Sequence, residues 1–342
     1  MTQDRTPTVS VLMPVRNEER SVAGAIGSVL QQTEKNLEVL VIDGQSDDGT
    51  ASVVNDLAST DPRIRLLDNP NRTIPHALNI GLAAAQGRYV ARVDAHASVS
   101  LDYLERGVTE LEANSDVASV GGRRIGVGEG PAGRAIAAAL SSPFGVGNSI
   151  NHYGGERQDT DHASFAVSRK DVLRSIGGWD ENLLVNEDVD LDHRIALAGF
   201  RIRYDPDMEI HWHVRRTVRD LGRQYRRYGR GKAAMVRKNG SSAVRVRHLA
   251  APGLVAWTGG AVIALLTGHP RIATAMVAPY VAGLAGATVA TRRKGYGEED
   301  LDVVPLAGAF AAMHFGWGLG FLEGYLLRLT PAAASGRDPR KK

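Results

Sequence analysis

Apolar and polar positions repeat with two alternating periods over residues 9–130. Short, continuous apolar runs predict buried strands, and the segments between them place Val22, Ile26 and Val29, for example, on one helical face. The predicted strands cover residues 9–15, 37–43, 64–67 and 88–93. This alternation of strands and helices predicts an α/β fold with a parallel sheet covered by helices on both faces.

The regular pattern weakens between residues 131 and 186, where glycine, serine and asparagine are frequent. We expect loops there, with one short alanine-rich helix. Residues 187–199 repeat apolar side chains at helical spacing, and residues 201–213 favour an extended segment. The shape of a substrate pocket would depend on the irregular loops in this part of the chain.

Three apolar stretches follow. Leu249–Thr267 and Ile272–Ala290 are nineteen residues long and uncharged; at 1.5 Å per residue each reaches roughly 28 Å, close to the thickness of a bilayer core. Val303–Leu327 contains His314 and Glu323. Membrane-associated helices are predicted, with buried Ala/Gly-rich helices as the alternative. For the third stretch, its length favours a crossing and the basic tail favours a position in the interface.

The length of 342 residues exceeds what one compact core usually holds. We therefore predict a catalytic domain over residues 1–240, a membrane-associated helical region over residues 241–330 and a basic tail over residues 331–342. The sequence contains no cysteine, which excludes disulfides and thiolate metal sites. The first residues carry no secretory signal, so we expect the catalytic domain to stay in the cytoplasm.

Basic residues are concentrated in a few segments. The formal net charge is only +3, so we expect no nucleic-acid partner. Between residues 215 and 247, however, Asp220 is the only acidic residue, which suits a surface facing anionic lipid headgroups or phosphates. Residues 292–294 are all basic, and the positive-inside rule places them in the cytoplasm. We predict a protein of the cytoplasmic membrane with its catalytic domain on the cytoplasmic side.

Polar side chains follow the predicted strands at their carboxyl ends, where ligands bind in open α/β sheets. Glu18 follows the first strand, Asp43 ends the second, and Asp94 and His96 follow the fourth. Asp43 could accept a hydrogen bond from a nucleobase, or could simply form a turn. Asp94 and His96, two residues apart on a turn, could both face one cation.

Glu187 and Asp188 begin the predicted helix at residues 187–199. Acidic residues in a first turn are ordinary, because they complement the helix dipole. Alternatively, one of the two carboxylates projects into the cleft and serves as a general base. The spacing alone leaves both interpretations open.

Six segments in combination resemble family 2 glycosyltransferases of the GT-A fold, most closely the branch of succinoglycan-biosynthesis glycosyltransferases. They cover most of residues 8–240 in the family's order. The segments are residues 9–18, 41–50, 92–96, 177–181, 186–191 and 223–231.

The resemblance implies a role for each strand-end residue. Pro14 and Glu18 would line a nucleoside pocket, and Asp43 would contact the base, commonly uracil. Asp94 and His96 would stand where the family's D-x-D motif binds Mn²⁺ or Mg²⁺ together with the diphosphate. A histidine in place of the second aspartate is a departure from the commonest form of that motif.

The resemblance also implies roles later in the chain. Asp188 would be the catalytic base in the family's E-D motif, with Glu187 beside it, and Trp179 would border the acceptor site. A Q-x-x-R-W-like segment near the diphosphate and acceptor would be represented by Gln224, Arg227 and Arg230, with Tyr228 in place of the usual tryptophan. A further metal ligand could come from His211 or His213.

The predicted function is that of an inverting, metal-dependent glycosyltransferase. The donor would be a nucleotide-diphosphate sugar, and the acceptor a hydroxyl of a glycan or of a polyprenyl-diphosphate-linked sugar. One alternative is a nucleotidyltransferase that makes nucleotide sugars, although Pro14 to Glu18 lack the glycine-rich phosphate loop that such an enzyme needs. Another is an inactive membrane partner with the same fold, which His96 leaves open.

Overall fold

The computed structural model describes residues 6–240, 244–245, 247–294 and 301–328. These residues belong to two compact units. The first contains the described residues from 6 to 125 and from 154 to 213, and the second contains those from 126 to 153 and from 214 to 328. The predicted basic tail at residues 331–342 lies outside the described residues.

Strands and helices alternate through most of the first unit. The strands are β1 (Val9–Val15), β2 (Leu37–Asp43), β3 (Ile64–Asp68), β4 (Tyr89–Arg92), β5 (Ala97–Val99), β6 (Val117–Val127), β7 (Gln158–Asp159), β8 (Val167–Arg169) and β9 (Arg201–His213). The helices of the described residues are α1 (Val22–Leu30), α2 (Thr50–Thr60), α3 (Ile74–Ala84), α4 (Tyr103–Ala113), α5 (Gly130–Leu140), α6 (Pro143–Val146), α7 (Ile150–Tyr153), α8 (Lys170–Ser175), α9 (Glu187–Leu197), α10 (Val218–Asn239), α11 (Arg247–Leu266), α12 (Pro270–Lys294) and α13 (Val303–Leu326).

One half of the sheet is parallel, in the order β3-β2-β1-β4. Val9 pairs with Leu37 on one side and with Tyr89 on the other. Every residue of β2 is buried, as expected for a parallel strand covered on both faces. The four strands predicted from apolar runs are therefore confirmed, and their carboxyl ends lie along one edge of the sheet.

The other half of the sheet continues in the order β8-β6-β9-β5, and the β4–β8, β8–β6 and β9–β5 pairings are antiparallel. The prediction of a parallel sheet is thus correct for the first half only. Residues 131–186 also hold more regular structure than one alanine-rich helix. Besides α5 they contain elements of two to six residues, too short to produce a recognisable hydrophobic period.

In the second unit, α10 and α13 touch backbone to backbone. A methyl group on Gly316 would lie 2.7 Å from the carbonyl oxygen of Gly222, and one on Gly320 would overlap the carbonyl oxygen of Arg226. Gly324 likewise lies against Arg230. This small-residue stripe, at every fourth position of α13, lets the two helices approach more closely than side chains would allow.

Among the described residues, three helices are long and apolar enough to cross a membrane: His248–Leu266, Pro270–Lys294 and Val303–Leu326. They match the three predicted apolar stretches closely. Glu323, the acidic residue of the third, forms ion pairs with Arg226 and Arg230 of α10. Its charge is therefore compensated within the second unit.

The glycine contact between α10 and α13 gives a test of this packing. Gly320→Ala should lower the melting temperature of the full-length protein in detergent, because forced overpacking costs about 1–3 kcal/mol. Gly286→Ala is the matched control, since the space around Gly286 in α12 is open and alanine favours the helix. Equal melting temperatures for the two variants, measured by circular dichroism, would contradict the close backbone contact.

Candidate active site

The loops after β1 and β2 are fastened to each other by side-chain hydrogen bonds. Asn17 has a left-handed backbone with a φ of 58°, and its side-chain oxygen accepts a 2.9 Å hydrogen bond from the amide of Asp47. The amide of Glu18 donates to the hydroxyl of Thr50 at 2.8 Å. These bonds fix Glu18 at the carboxyl edge of the parallel strands.

Asp43 lies at the end of β2 and is almost fully buried. Its carboxylate accepts hydrogen bonds from the amide of Ser46 at 3.1 Å and from the Ser46 hydroxyl at 2.5 Å. Asp43 therefore forms a turn, which was one of the two roles that the sequence left open. Contact of Asp43 with a nucleobase stays a prediction. Pro14 lies on the neighbouring strand opposite Ile42, and its place in a nucleoside pocket also stays a prediction.

Arg92 connects the end of β4 to the start of α9. Its Nε lies 2.8 Å from Oδ1 of Asp94, and its Nη1 lies 3.0 Å from Oε1 of Glu187. All three side chains are largely buried. Burial raises the pKa of Asp94, but the Arg92 charge and hydrogen bond outweigh it and hold that pKa below its ordinary value. Sequence reasoning missed Arg92, although it is two residues from Asp94.

His96 follows Asp94 and is the more accessible of the pair, with 44% of its side chain exposed. Its Nδ1 lies 3.4 Å from Oε1 of Glu18. Within the described part of the chain, no three histidine, aspartate or glutamate side chains are grouped so that they could hold a metal ion. A cation at Asp94 and His96 would therefore need ligands from the substrate or from water. His211, suggested as a further ligand, lies 3.5 Å from Glu209.

Asp188 lies in the first turn of α9, directly after Asn186 and Glu187. Asn186 has a left-handed φ of 63°, which turns the chain into the helix. The Asp188 carboxylate accepts a 2.8 Å hydrogen bond from the Val189 amide, and 37% of the side chain remains exposed. Partial burial raises the pKa of Asp188, but the charges of His162 and Arg92 more than offset this and lower it.

His162 is a member of this cluster that sequence reasoning missed. Its Nδ1 lies 2.7 Å from Oδ2 of Asp192, one turn further along α9, and its Nε2 lies 3.8 Å from Oδ2 of Asp188. The hydroxyl of Ser164 lies 3.0 Å from the same Nε2. Burial lowers the pKa of His162, but the two carboxylates outweigh it and raise that pKa above its usual range. His162 thus lies between two carboxylates, which favour its charged form.

Arg124 on β6 is a second residue that the sequence interpretation omitted. Its guanidinium carbon lies 4.6 Å from the centre of the Trp212 ring, and its Nε is buried without a hydrogen-bond partner. Its positive charge lowers the pKa values of both Asp94 and Asp188. The available signal was a pair of consecutive arginines in an otherwise apolar strand. An unpaired buried N–H beside two carboxylates is able to receive an anionic ligand.

Trp179 does not present an open ring face in this structure. Only 6% of the residue is exposed, and it packs in the hydrophobic core with Leu78 and Leu82. Its backbone amide and carbonyl both bond to the side chain of Asn79, each at 2.8 Å. The ring therefore has a packing role, and the expectation that Trp179 borders the acceptor site stays a prediction.

Gln224, Arg227 and Arg230 lie on α10 in the second unit. The Gln224 amide donates to the Tyr228 hydroxyl at 2.7 Å, so the residue in place of tryptophan is part of a local network. Arg230 is bound by Glu323. Arg227 has a buried Nε without a partner. Their predicted roles toward diphosphate or acceptor stay predictions.

Comparison with known proteins identifies the family. Residues 10–177 match the model of glycosyl transferase family 2. The chain is 30% identical to the succinoglycan biosynthesis protein ExoA of Rhizobium meliloti (strain 1021), over 94% of this chain and 96% of that protein. The chain belongs to glycosyltransferase family 2. This membership argues against the nucleotidyltransferase alternative.

One further relative and one solved structure are similar to this chain. The chain is 30% identical to the pre-mycofactocin glycosyltransferase of Mycobacterium tuberculosis, over 83% of this chain and 61% of that protein. Its fold resembles that of the mannosyltransferase PcManGT from Pyrobaculum calidifontis, which was solved with GDP-Man and Mn²⁺. The TM-score is 0.62, at 23% identity, with 91% of this chain and 88% of that chain covered. The predicted GT-A fold is confirmed.

Positive charge on His162 should lower the pKa of Asp188. His162→Gln removes that charge, so the pKa of Asp188 rises. Activity that depends on ionised Asp188 should then begin to fall at a higher pH when the solution is acidified. The measurement is the pH dependence of nucleotide-sugar turnover. His76→Gln, which removes another histidine–carboxylate pair, is the control. An acid limb that is unchanged in His162→Gln would contradict the electrostatic role.

Proposed function

We propose that this protein transfers a sugar from a nucleotide-diphosphate sugar to a hydroxyl group of a glycan or lipid-linked acceptor in polysaccharide or cell-envelope biosynthesis. The observation that carries the proposal is Asp188, a partly exposed carboxylate held in its ionised form beside the carboxyl edge of the sheet. The relationship to a succinoglycan biosynthesis protein supports the pathway class. The GT-A fold supports a nucleotide-sugar donor.

Asp188 is the proposed general base. The acceptor hydroxyl gives its proton to Asp188 while its oxygen attacks the anomeric carbon from the face opposite the diphosphate. The bond between that carbon and the diphosphate oxygen breaks, and one displacement inverts the anomeric centre. No covalent intermediate is needed, so the reaction requires no nucleophilic side chain.

Arginine side chains of the protein are proposed to supply positive charge near the leaving diphosphate. Arg124 has a buried, unpaired Nε close enough to act on Asp94 and Asp188. Arg16, at the end of β1, also has a buried Nε without a partner. We propose that these guanidinium groups bind diphosphate oxygens, because arginine N–H groups match phosphate geometry.

Asp94 and His96 would hold a divalent cation, Mn²⁺ or Mg²⁺. A carboxylate that accepts two N–H bonds from Arg92 still has lone pairs for a metal, and His96 is accessible. The two side chains therefore fit a cation whose other ligands come from the donor diphosphate and water. Such a cation would offset charge on the departing diphosphate.

The remaining partners are inferred from the chain's distribution of charge and apolar helices. Pro14, Glu18 and Asp43 would bind the nucleoside, for which a uridine donor is proposed. The apolar helices and the basic residues near them support a place at the cytoplasmic membrane, with the catalytic unit on the cytoplasmic side. A polyprenyl-diphosphate-linked sugar is the acceptor class that fits this location. The inactive-partner alternative predicts no turnover of any UDP- or GDP-sugar.

Asp188→Asn should abolish transfer while preserving the fold. The amide keeps the shape of the carboxylate but cannot accept the proton, and loss of a general base typically costs ~10²–10⁴-fold in rate. Turnover of a panel of UDP- and GDP-sugars is measured alongside nucleotide binding by calorimetry. Asp56→Asn, on the exposed surface of α2, is the matched control. If Asp188→Asn keeps more than about a tenth of wild-type turnover, another group is the base.

His96 should make the protein prefer the softer metal. Mn²⁺ is expected to support more activity than Mg²⁺ at equal concentration, because imidazole suits Mn²⁺ better than Mg²⁺. His96→Asp, which restores two carboxylates, should shift the preference toward Mg²⁺. Turnover is measured after chelation and re-addition of each metal. Full activity in excess chelator would remove the cation from the proposal.

A further inference from the structure

The pairing of α10 with α13 runs along the whole length of both helices. Contacts begin where Gly308 faces Val218 and continue where Ala312 faces Gly222. Further along, Gly320 meets Arg226 and Gly324 meets Arg230 and Ala233. Residue numbers rise together in the two helices, so they lie side by side and point in the same direction. The placement of α13 in a membrane therefore determines the placement of α10.

Helix α10 has the wrong composition for a bilayer core. Over its 22 residues it carries eight basic side chains and one acidic side chain, spread from the first turn to the last. Arg219, Arg223, Arg237 and Lys238 are exposed. If α13 crossed the membrane, α10 would cross beside it with these charges in hydrocarbon, which is strongly unfavourable.

The two remaining apolar helices behave differently. The first part of α11 touches α13, where Ala251 and Val255 lie against Gly318, and Tyr280 in the middle of α12 lies 3.2 Å from His314 of α13. Beyond that point α11 pairs with α12, and the Trp257 indole donates to the carbonyl oxygen of Met276 at 2.8 Å. The far ends of this hairpin expose large apolar side chains, which are Val262, Ile263, Leu265, Leu266 and Ile272. The surface at this end of the hairpin suits contact with lipid, and it lacks the series of charged side chains that α10 carries.

We propose that α10 and α13 lie together in the membrane interface, with the exposed basic side chains of α10 against anionic lipid headgroups, and that the α11–α12 hairpin alone enters the bilayer. The chain after α13 then ends on the same side of the membrane as α10. Charge complementarity selects anionic lipid as the partner of α10. This arrangement does not depend on the proposed reaction, because it follows from packing and charge within the second unit.

The first test is the sidedness of the C-terminus. Because the natural sequence has no cysteine, single-cysteine variants can be labelled with a membrane-impermeant maleimide in sealed vesicles of the full-length protein. Ser335→Cys in the tail should be labelled from the same side as Ser59→Cys in the first unit. An entrapped dye checks that the vesicles are sealed. Labelling of Ser335→Cys only after permeabilisation, with Ser59→Cys labelled before it, would overturn the proposal.

The second test measures depth. Leu319→Cys on α13 and Val262→Cys on α11 have similar exposure, 41% and 56% for the native residues, and carry the same fluorescent label. Lipids brominated near the headgroup should quench Leu319→Cys more strongly, and lipids brominated near the chain end should quench Val262→Cys more strongly. Stronger quenching of Leu319→Cys by the deep lipids would mean that α13 crosses.

The third test addresses the lipid partner. Bromine carried on phosphatidylglycerol should quench labelled Leu319→Cys more than bromine carried at the same depth on phosphatidylcholine. Adding Arg219→Gln and Arg223→Gln should remove that difference, whereas Lys35→Gln and Arg88→Gln in the first unit should leave it unchanged. Equal quenching by the two lipids in the unmodified background would show that α10 does not select anionic headgroups.

Discussion

The buried guanidinium of Arg92 is the interaction on which the candidate site depends. It holds Asp94 at the end of β4 and Glu187 at the start of α9, and it lies 5.9 Å from the ring of Phe165 in the loop that carries His162. One cation thus connects three separate parts of the first unit. A buried charge of this kind is tolerated only because both carboxylates compensate it, so loss of either partner would leave charge uncompensated in the interior.

Near Arg92, the adjacent carboxylates Glu187 and Asp188 have pKa shifts in opposite directions. Burial and the charge of Asp188 raise the pKa of Glu187, whereas His162 and Arg92 lower the pKa of Asp188 despite its partial burial. Glu187 is the buried member of the pair and is bound by Arg92, whereas Asp188 is the partly exposed member with the lowered pKa. Two neighbouring acids with opposite pKa shifts can have different roles. If the two acids only complemented the helix dipole, no such difference between them would be needed.

The sequence predicted those parts of the structure that depend on local periodicity. The strands that end at Asp43 and near Asp94, and the helix that begins at Glu187, were found because parallel strands bury continuous apolar runs. His162 and Arg124 were missed because they reach the site from a loop and from the antiparallel half of the sheet, whose register no short pattern fixes. The burial of the Trp179 ring was not predicted for a related reason, since a single aromatic residue in an irregular segment gives no sign of which face of the chain meets the core.

In the second unit, the domain boundary indicated by sequence composition differs from the boundary indicated by packing. Residue 240 is where the charged sequence gives way to the apolar one, yet α10 contacts α13 through backbone atoms at Gly229 and Gly320. A chain ending after α10 would expose this glycine surface and leave Arg226 and Arg230 without Glu323. The apolar helices are therefore more than an attachment that could be removed without consequence. The segment from Gln224 to Arg230, which resembles the family's diphosphate- and acceptor-proximal motif, is positioned by the same helices that would meet the membrane.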